Sequence, residues 1–303
     1  MDLPKGVDFF TPFRFYDAMI TLRDLSYVRL GTPDLAAAEK FVTDIVGLQS
    51  VDRNGDQLYL RSDNRHHTLC YFKGAVGEHA LGIEIKDPQA LDDAAETLET
   101  DGFSCHRGTA QECADRKVFD FIRFNDPSGN CIEIVARPFE ANRRYYGARD
   151  AGIRGLGHVG LNSTDPPRDE AYWLRHFNIR VSDWIGQVPL LRMTNIHHQI
   201  ALFPTDKPGI QHINHQVTEV DDIMRSMYFL EERQVRIVFG PGRHATSGGY
   251  FLYFEGHDGM VFEYSNSDRT IIDDDEAYRP RQFEMEFASF CVWGSKPDIP
   301  EFQ

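Results

Sequence analysis

The sequence repeats itself, and the repeat limits the folds that the chain can adopt. The segment LSYVRLGTPDLAAAEKFV, starting at Leu25, parallels LGHVGLNSTDPPRDEAYWL, starting at Leu156. In both, an apolar run typical of a strand leads through a turn into a helical pattern with acidic residues near its start. Further along, DNRHHTLCYF (63–72) parallels TNIHHQIALF (194–203), and each pattern predicts a strand with a His-His pair. The chain is therefore expected to contain two similar halves.

A third pair of segments completes the repeat. FIRFNDPSGNCIEIV in the first half parallels LYFEGHDGMVFEYS in the second half, which places Glu133 opposite Glu263. Apolar residues at helical spacing follow Leu91 in one half and Val220 in the other. Each half is therefore predicted to be a strand, a helix and three strands, with a further helix inside the last group.

The repeat and the composition predict two domains with flanking segments. We place a first domain at residues 24–140 and a second domain at 153–266, joined by a polar linker rich in Arg. Residues 1–23 are an N-terminal extension, and 267–303 are a C-terminal tail whose aromatic residues are expected to pack on the second domain. A chain of 303 residues, of which 41% are apolar, is long enough to bury a core in each domain.

The charge of the chain excludes two classes of partner. With 32 basic against 47 acidic residues, the net charge is −15, whereas nucleic acids and anionic membranes attract basic surfaces. No run approaches the roughly 18 apolar residues that cross a bilayer, and the start, MDLPKGVDFF, lacks the pattern of a signal peptide. Five scattered cysteines favour a reducing compartment. We expect a cytoplasmic globular protein.

Three chemically capable side chains lie in the segment 240–264, namely His244, Tyr253 and Glu263. YFLYF and MVFEY in this segment have the aromatic and β-branched residues that favour strands, and glycine-rich turns precede and separate them. Glu263 follows three apolar residues of the final strand, where an ionised carboxylate is rarely buried without a partner. Glu263 is therefore predicted to meet a cation.

Two imidazoles are candidates to hold such a cation. His158 in LGHVGL and His212 in QHINHQV each interrupt a short apolar strand. Taken alone, either would more often be a hydrogen-bonded core histidine than a ligand. Together with Glu263 they form the two-His, one-carboxylate set that suits Fe(II) or Mn(II) with open positions. Zinc is the alternative, but a structural zinc site more often recruits Cys, and no Cys-x-x-Cys pair is present.

The span from about residue 24 to 266 resembles the two-domain type I extradiol ring-cleaving dioxygenases of the vicinal oxygen chelate superfamily. That family's fingerprint is a His, five to seven residues, an aliphatic residue, a Tyr, a D-P-x-G-like turn and a Glu. The places are filled here by His244, Leu252, Tyr253, the Asp-Gly at 258–259 and Glu263. The turn itself departs from the pattern, since it is GHDG at 256–259, whereas the first half keeps DPSG at 126–129.

The resemblance implies an α+β fold of two tandem domains, in which paired βαβββ modules form an open barrel around a cavity. It implies a catechol and O2 as substrates, and homo-oligomers as the assembled form. The implied roles are metal ligand for His158, His212 and Glu263, acid/base for His198, and contact to the catechol oxygens for His244 and Tyr253. The metal is Fe(II), with Mn(II) possible.

The first half departs from this set. Tyr27 takes the place of His158, so Glu133 lacks a complete set of partners. The first cavity is therefore predicted to be a structural relic of duplication, and the chain is predicted to bind one catalytic metal ion.

His215 and His197 are alternative candidates for the roles given to His212 and His198. His215 is an odd number of residues from His212 and is expected on the opposite face of the same strand. For the same reason only one residue of the pair 197–198 can face the cavity. The family pattern selects His198, and His197 is expected to face outward.

Substrate preference rests on the segment ahead of the Gly-Pro-Gly turn. Relatives that cleave catechols with an acidic side chain tend to carry an Arg there, where a guanidinium can bind a carboxylate. This chain has Phe239, which predicts a preference for alkyl or aryl substituents, although Arg243 could supply a cation. The alternative functions are a glyoxalase-type metal isomerase and a non-catalytic aromatic-binding protein of the same fold.

Overall fold

The computed structural model describes residues 19–266 and 272–299. Residues 1–18, most of the N-terminal extension, and 267–271 and 300–303 of the tail lie outside the described residues. Besides a π-helical turn (Val42–Val46) and a 3-10 turn (Pro88–Ala90), the described part of the first half contains eight strands and three α-helices. They are β1 (Leu22–Thr32), α1 (Leu35–Phe41), β2 (Gln49–Asn54), β3 (Gln57–Arg61), β4 (Leu69–Lys73), β5 (His79–Ile85), α2 (Leu91–Thr100), β6 (His106–Arg107), α3 (Ala110–Arg116), β7 (Val118–Asn125) and β8 (Cys131–Pro138).

The second half repeats this order without a counterpart of α3, and a segment of the tail adds one strand and one short helix. Its elements are β9 (Ile153–Ser163), α4 (Pro166–His176), β10 (Arg180–Ile185), β11 (Val188–Arg192), β12 (Ile200–Pro204), β13 (Ile210–Val217), α5 (Val220–Glu232), β14 (Ile237–Arg243), β15 (Tyr250–Glu255), β16 (Val261–Asn266), β17 (Arg281–Phe283) and α6 (Phe287–Phe290). No described helix has the length and apolar character needed to cross a membrane.

The two sheets have the same topology. The first sheet has the order β2-β3-β4-β1-β5-β8-β7-β6, and the second has β14-β15-β16-β13-β9-β12-β11-β10-β17, which is the same arrangement in reverse with β17 added. Within each sheet the first and fourth strands pair in parallel, as do the fifth and eighth, while the first and fifth pair antiparallel. Each half is thus two βαβββ modules joined through their first strands. The predicted α+β fold of paired modules in open sheets is confirmed.

The repeat extends to the contact between the halves. In each half the turn before the last strand reaches the end of the first strand of the other half. Ser128 of the first half lies 3.1 Å from the hydroxyl of Thr164, and the Thr32 hydroxyl donates a 2.6 Å hydrogen bond to Asp258. The position of the domain boundaries at 24–140 and 153–266 stays a prediction.

Alternate residues of the strands divide between two clusters in the second half. Along β12, Ile200 and Leu202 join the large cluster that also contains the buried side chains of the helices, whereas Ala201 and Phe203 join a separate one. Because successive side chains in a strand point to opposite faces, the separate cluster covers the inner face of the second sheet. Two tail residues, Phe290 and Ile299, belong to it.

The described part of the tail contacts the second half through some of its aromatic residues, and the assignment of 267–303 as a packing tail stays a prediction. Phe290 is 4% exposed and Phe283 is half-buried, whereas Phe287 and Trp293 remain about half exposed. The acidic run at 273–276 is largely exposed, as expected of a solvated loop.

Candidate metal centre

The three predicted metal ligands lie on adjacent strands of the second sheet. His158 is on β9, His212 on β13 and Glu263 on β16, and these strands are neighbours in the order β16-β13-β9. All three side chains are buried, and Glu263 has no exposure at all. The sheet therefore brings together residues that are up to 105 positions apart in sequence, and it removes them from bulk water.

The distances among the three donor atoms fit a single ion. The Nε2 atoms of His158 and His212 are 3.0 Å apart, and a carboxylate oxygen of Glu263 lies 2.8 Å from the first and 3.5 Å from the second. An ion about 2.0–2.2 Å from each of three donors at right angles separates them by about 3 Å. Among the described residues this is the group of His, Cys, Asp and Glu side chains close enough to hold a metal ion.

The carboxylate of Glu263 supports the same fit. Within the described part of the chain, neither of its oxygens accepts a hydrogen bond of ordinary geometry, and the side chains at ion-pair distance from it are the imidazoles of His158, His212 and His244. Burial raises the pKa of this carboxyl, but the adjacent His158 and the other imidazoles outweigh burial and hold it well below its usual value. A buried carboxylate that stays ionised among imidazoles is a ligand suited to a divalent cation.

The neighbours of His212 orient its ring toward the site. Its Nδ1 is hydrogen-bonded to Oε1 of Gln211, and because an amide oxygen only accepts, Nδ1 carries the hydrogen and Nε2 keeps its lone pair. Burial lowers the pKa of His212 to about 3, so the ring is neutral at neutral pH. Gly160 on β9 provides the space, since a Cβ there would lie 2.5 Å from Nδ1 of His212.

Three further side chains surround the candidate ligands. The ring of His198 lies against that of His158, with the centroids 4.2 Å apart. Nε2 of His244 is 3.5 Å from an oxygen of Glu263, and the hydroxyl of Tyr253 is 3.4 Å from the same nitrogen. The predicted acid/base and the two predicted substrate contacts thus converge on the ligands. Their roles stay predictions.

The chemistry of these three groups follows from their surroundings. His244 donates from Nδ1 to the carbonyl of Phe290 over 2.8 Å, which leaves Nε2 toward the site. Burial, reinforced by Glu263, raises the pKa of Tyr253 well above its usual value, so this residue is a neutral phenol. Burial lowers the pKa of His198 well below its usual value, and the nearby His158 acts in the same direction. The site therefore offers a hydroxyl donor and a neutral imidazole.

Two cavities meet at the candidate ligands, and both are lined by His158, His198 and His244. One has about 280 Å³ of empty volume and a polar wall that includes Gln216, Ser247 and Ser265. The other has about 380 Å³, both figures including space open to solvent. Its wall is mainly apolar, with Ile185, Val188, Leu190, Ala201, Phe203, Tyr253 and Phe290. The candidate metal position thus has polar side chains on one side and mainly apolar side chains on the other.

The two predicted substrate residues lie behind these walls. Phe239 is 1% exposed, and its ring packs on Phe251 and Tyr253 at centroid distances of 4.5 and 5.5 Å. Arg243 donates from Nε to the carbonyl of Gly248 and lies over the ring of Tyr250. Neither residue lines the two cavities that contain the ligands. Direct contact of either one with substrate stays a prediction.

The expectation that His197 faces outward is wrong. His197 is 4% exposed and lines the polar cavity together with His198. Both residues precede β12, in a segment without regular strand geometry, so the alternation of a strand does not apply to them. Nδ1 of His197 lies 3.0 Å from Nδ1 of His198, and its Nε2 lies 3.0 Å from Asp183.

Asp183, Arg281 and Gln211 are functional candidates that the sequence reasoning missed. Asp183 is fully buried on β10, and Arg281 of β17 pairs with it at 2.6 Å. The signal that could have found Asp183 is the one used for Glu263, a carboxylate within a strand whose other residues are mostly buried. Arg281 had no such signal, because it lies 98 residues away in the tail.

The structure also shows the positions of His215, the competing histidine, and of the unusual turn at 256–259. His215 is buried against Phe262, and His212, not His215, joins the ligand group. The turn at 256–259 shares two backbone hydrogen bonds with DPSG in the first half. Gly259 donates to the carbonyl of Gly256, as Gly129 does to that of Asp126, and the first residue of each turn donates to the carbonyl of the residue that follows the turn. The two turns differ in one bond, because Met260 donates to the carbonyl of His257, whereas the N–H of Asn130 donates to Oδ1 of Asp126.

The equivalent site of the first half contains a different set of residues. Strand pairing places Tyr27 at the position of His158, Ala80 at that of His212 and Glu133 at that of Glu263. The hydroxyl of Tyr27 donates to Glu133 over 2.8 Å, and the guanidinium of Arg116 on α3 pairs with the same carboxylate at 2.6 Å. The cation that Glu133 meets is thus an arginine.

The sequence of the chain also matches a known family. The sequence model of the Glyoxalase/Bleomycin resistance protein/Dioxygenase superfamily matches residues 24–134 and again 155–264. The chain belongs to this superfamily. The two matches cover the two halves, so the internal repeat is a tandem pair of superfamily modules.

Curated relatives from the superfamily align over most of the chain. A 1,2-dihydroxynaphthalene dioxygenase of Sphingobium xenophagum is 26% identical over 265 residues, covering 81% of this chain and 89% of the relative. An iron-dependent extradiol dioxygenase of Rhodococcus jostii (strain RHA1) is 26% identical and covers 91% and 97%. A manganese-dependent 2,3-dihydroxybiphenyl 1,2-dioxygenase of Geobacillus genomosp. 3 is 29% identical and covers 75% and 79%.

Solved structures show that the superfamily fold extends over almost the whole chain. A halotolerant catechol dioxygenase superposes with a TM-score of 0.82 at 21% identity and covers 93% of this chain and 97% of its own. An Mn(II)-bound glyoxalase from Novosphingobium aromaticivorans has the same TM-score and identity and covers 94% of each chain. The fold alone therefore does not separate a dioxygenase from a glyoxalase, and the function must be argued from the site.

Proposed function

We propose that the chain is an extradiol dioxygenase that cleaves a substituted catechol with O2 at the ring bond beside the diol, using Fe(II), or alternatively Mn(II), held by His158, His212 and Glu263. The observation that carries the proposal is the convergence of His198, His244 and Tyr253 on that ligand group, beside a mainly apolar cavity. The named relatives, which include iron- and manganese-dependent dioxygenases, support it.

The site has separate groups for each requirement of the reaction. The bound metal supplies Lewis acidity that favours the catecholate and a path for electrons from the ring to O2. His198 is placed to take a proton from a catechol hydroxyl and to return it to oxygen as the ring opens. Tyr253 and His244 orient the catecholate oxygens through hydrogen bonds. The apolar wall keeps water away from the ring.

The ligand set also separates this function from a metal isomerase. All three ligands come from the second sheet, and the equivalent positions of the first half contain Tyr27, Ala80 and Glu133, with Arg116 filling the place of the cation. A metal site built jointly from both halves, as glyoxalase-type enzymes usually have, is not formed by these residues.

Oxygen consumption tests the function directly. Protein purified without oxygen and loaded with Fe(II) is expected to consume one O2 per catechol, and both atoms of isotopically labelled dioxygen should enter the ring-opened product. Absence of oxygen uptake across a panel of catechols, or isomerase turnover without oxygen, would contradict the proposal.

The substrate class follows from the apolar cavity, behind whose wall Phe239 packs on the lining residue Tyr253. We propose that alkyl or aryl substituents are preferred over an acetate group, because the wall offers apolar surface and few donors to a carboxylate. The net charge of −15 does not steer an anion inward. The test compares kcat/KM for alkylcatechols and dihydroxyphenylacetate in the wild type and in Phe239→Arg. A wide preference of the wild type for the acetate-bearing ring would refute this substrate class.

We further propose a cytoplasmic homo-oligomer. Support comes from the acidic charge, from five cysteines that are all free thiols and from the resemblance to oligomeric enzymes. Light scattering coupled to size-exclusion chromatography measures the assembly, and a monomeric mass at micromolar concentration would contradict it.

A further inference from the structure

A buried chain of polar groups leads from the tail to His198. Arg281 donates from its backbone N, Nε and Nη2 to the carboxylate of Asp183, at 2.8, 3.1 and 2.6 Å. Asp183 lies 3.0 Å from Nε2 of His197, and Nδ1 of His197 lies 3.0 Å from Nδ1 of His198. The side chains of Asp183 and His197 are 0% and 5% exposed. Four residues from three separate segments thus form one continuous hydrogen-bonded series.

The direction of each hydrogen bond follows from what each group can donate. Burial raises the pKa of Asp183, but the bonds from His197 and Arg281 outweigh it and hold the carboxyl below its usual value, so it is an acceptor. Nε2 of His197 must therefore carry a hydrogen. Burial lowers the pKa of His197 against the effect of Asp183, so the ring is neutral and its Nδ1 accepts. Nδ1 of His198 is then the donor between the two rings.

We propose that Asp183 and His197, fixed by Arg281, are positioning residues that hold His198 in the tautomer with hydrogen on Nδ1 and present its bare Nε2 to the cavity. The role of His198 itself rests on the proposed function, whereas the tautomer does not. With Nδ1 committed to His197, Nε2 is the ring nitrogen left for substrate in the two cavities that His198 lines. The lone pair of Nε2 of His198 is thus the one on the cavity side of the ring.

The first half contains the same residue types without the same connection. Strand pairing places Asp52 on β2 at the position of Asp183, and His66 and His67 match the second pair. The side chain of Asp52 is 46% exposed and lies 3.5 Å from Lys117, while Nδ1 of His66 is 3.4 Å from Nδ1 of His67. The series is complete only where β17 supplies Arg281, which gives a matched internal control.

Nitrogen NMR of the full chain reads the tautomer without any assay of activity. Protein labelled with ¹⁵N-histidine and loaded with Zn(II), a diamagnetic stand-in for iron, is expected to show a protonated Nδ1 on His198 with a coupling across the hydrogen bond to Nδ1 of His197. In Asp183→Asn the hydrogen should shift toward Nε2 of His198, because an amide can donate to His197. A protonated Nε2 on His198 in the wild type would overturn the proposal.

Kinetics test whether this tautomer matters for turnover. His197→Gln keeps a donor for Asp183 and an acceptor for His198, so kcat should stay within about twofold of wild type. His197→Phe and Asp183→Asn should lower kcat by about 10- to 100-fold with unchanged metal content and unchanged KM for catechol. The controls His66→Phe and Asp52→Asn should leave kcat unchanged.

The outcomes separate this proposal from the proposed function. Unchanged kcat in His197→Phe, or equal losses in His197→Gln and Asp183→Asn, would overturn the positioning role. If the variants lose metal, or if their KM rises while kcat falls, the role of these residues is purely structural. That result would also overturn the positioning role. If wild-type protein consumes no oxygen with any catechol, the proposed function fails, and the NMR measurement still decides the tautomer. If His197→Phe does not fold, the comparison of His197→Gln with Asp183→Asn takes its place.

Discussion

Glu133 and Glu263 occupy equivalent positions on β8 and β16, and neither side chain has any exposure to solvent. Around Glu133 the structure places the guanidinium of Arg116 and the hydroxyl of Tyr27. Around Glu263 it places imidazoles, two of them with Nε2 within 3.5 Å of the same carboxylate oxygen. The first carboxylate has a permanent cation from the chain, and the second has the donors that would share an ion from outside.

The difference involves few residues. Arg29 in the first half stands where Gly160 stands in the second, so the space taken by the imidazole of His212 has no counterpart beside Ala80. The helix that supplies Arg116 has no counterpart in the second half either. One duplicated scaffold thus became a self-neutralised core in one half and a candidate metal site in the other.

The largest effect on metal binding and turnover is expected from neutralising Glu263. Glu263→Gln removes the anionic ligand while keeping the shape of the side chain, so the protein should lose its metal ion and all measurable turnover. Metal content after desalting and oxygen uptake are the two measurements. Retention of stoichiometric metal would remove Glu263 from the ligand set, and the same reasoning applies to His158→Ala and His212→Ala.

A smaller loss of turnover is expected when His198, the proposed acid/base residue, is replaced. His198→Asn should keep the metal and still bind catechol, but its kcat should fall by about 10²- to 10⁴-fold, the usual contribution of a general acid or base. His67→Asn changes the equivalent residue of the first half and should leave kcat unaltered. Equal kcat in the wild type and in His198→Asn would count against the assigned role.

Replacing Glu133 should lower the free energy of unfolding and leave turnover unchanged. Glu133→Gln leaves Arg116 buried without its anion, and breaking a buried pair in this way typically costs about 3–5 kcal/mol in the free energy of unfolding. Chemical denaturation measures the loss, and kcat per folded molecule should match the wild type. Metal-free Glu263→Gln should show no such loss. If both substitutions destabilise the metal-free protein equally, the proposed difference between the two sites is wrong.

Much of the fold could be predicted from the sequence because the information is local and repeated. Apolar alternation and helical spacing occur twice in the same order, and the structure contains the matching strands together with α1, α2, α4 and α5. The strand count was wrong, because the pattern predicted four strands in each half and the structure has eight. The short helix α3 and strand β17 were also missed. Helix α3 has no counterpart in the repeat, and β17 is only three residues long and gains its structure from pairing with β10.

The candidate site was predictable where a polar residue interrupts an apolar strand. His158, His212 and Glu263 each do so, and the structure brings them together. His197 was assigned to the wrong side because strand alternation was applied to residues that lie outside a strand. The series from Arg281 through Asp183 depends on contacts across 98 residues, and no local pattern contains that information.

Metal stoichiometry tests the difference between the two halves most directly. Wild-type protein, Glu133→Gln and Glu263→Gln are each reconstituted with Fe(II) without oxygen, desalted and analysed for metal per chain. We predict one ion per chain for the wild type, one for Glu133→Gln and none for Glu263→Gln. Two tightly held ions in the wild type, or loss of the ion in Glu133→Gln while Glu263→Gln retains it, would contradict the account.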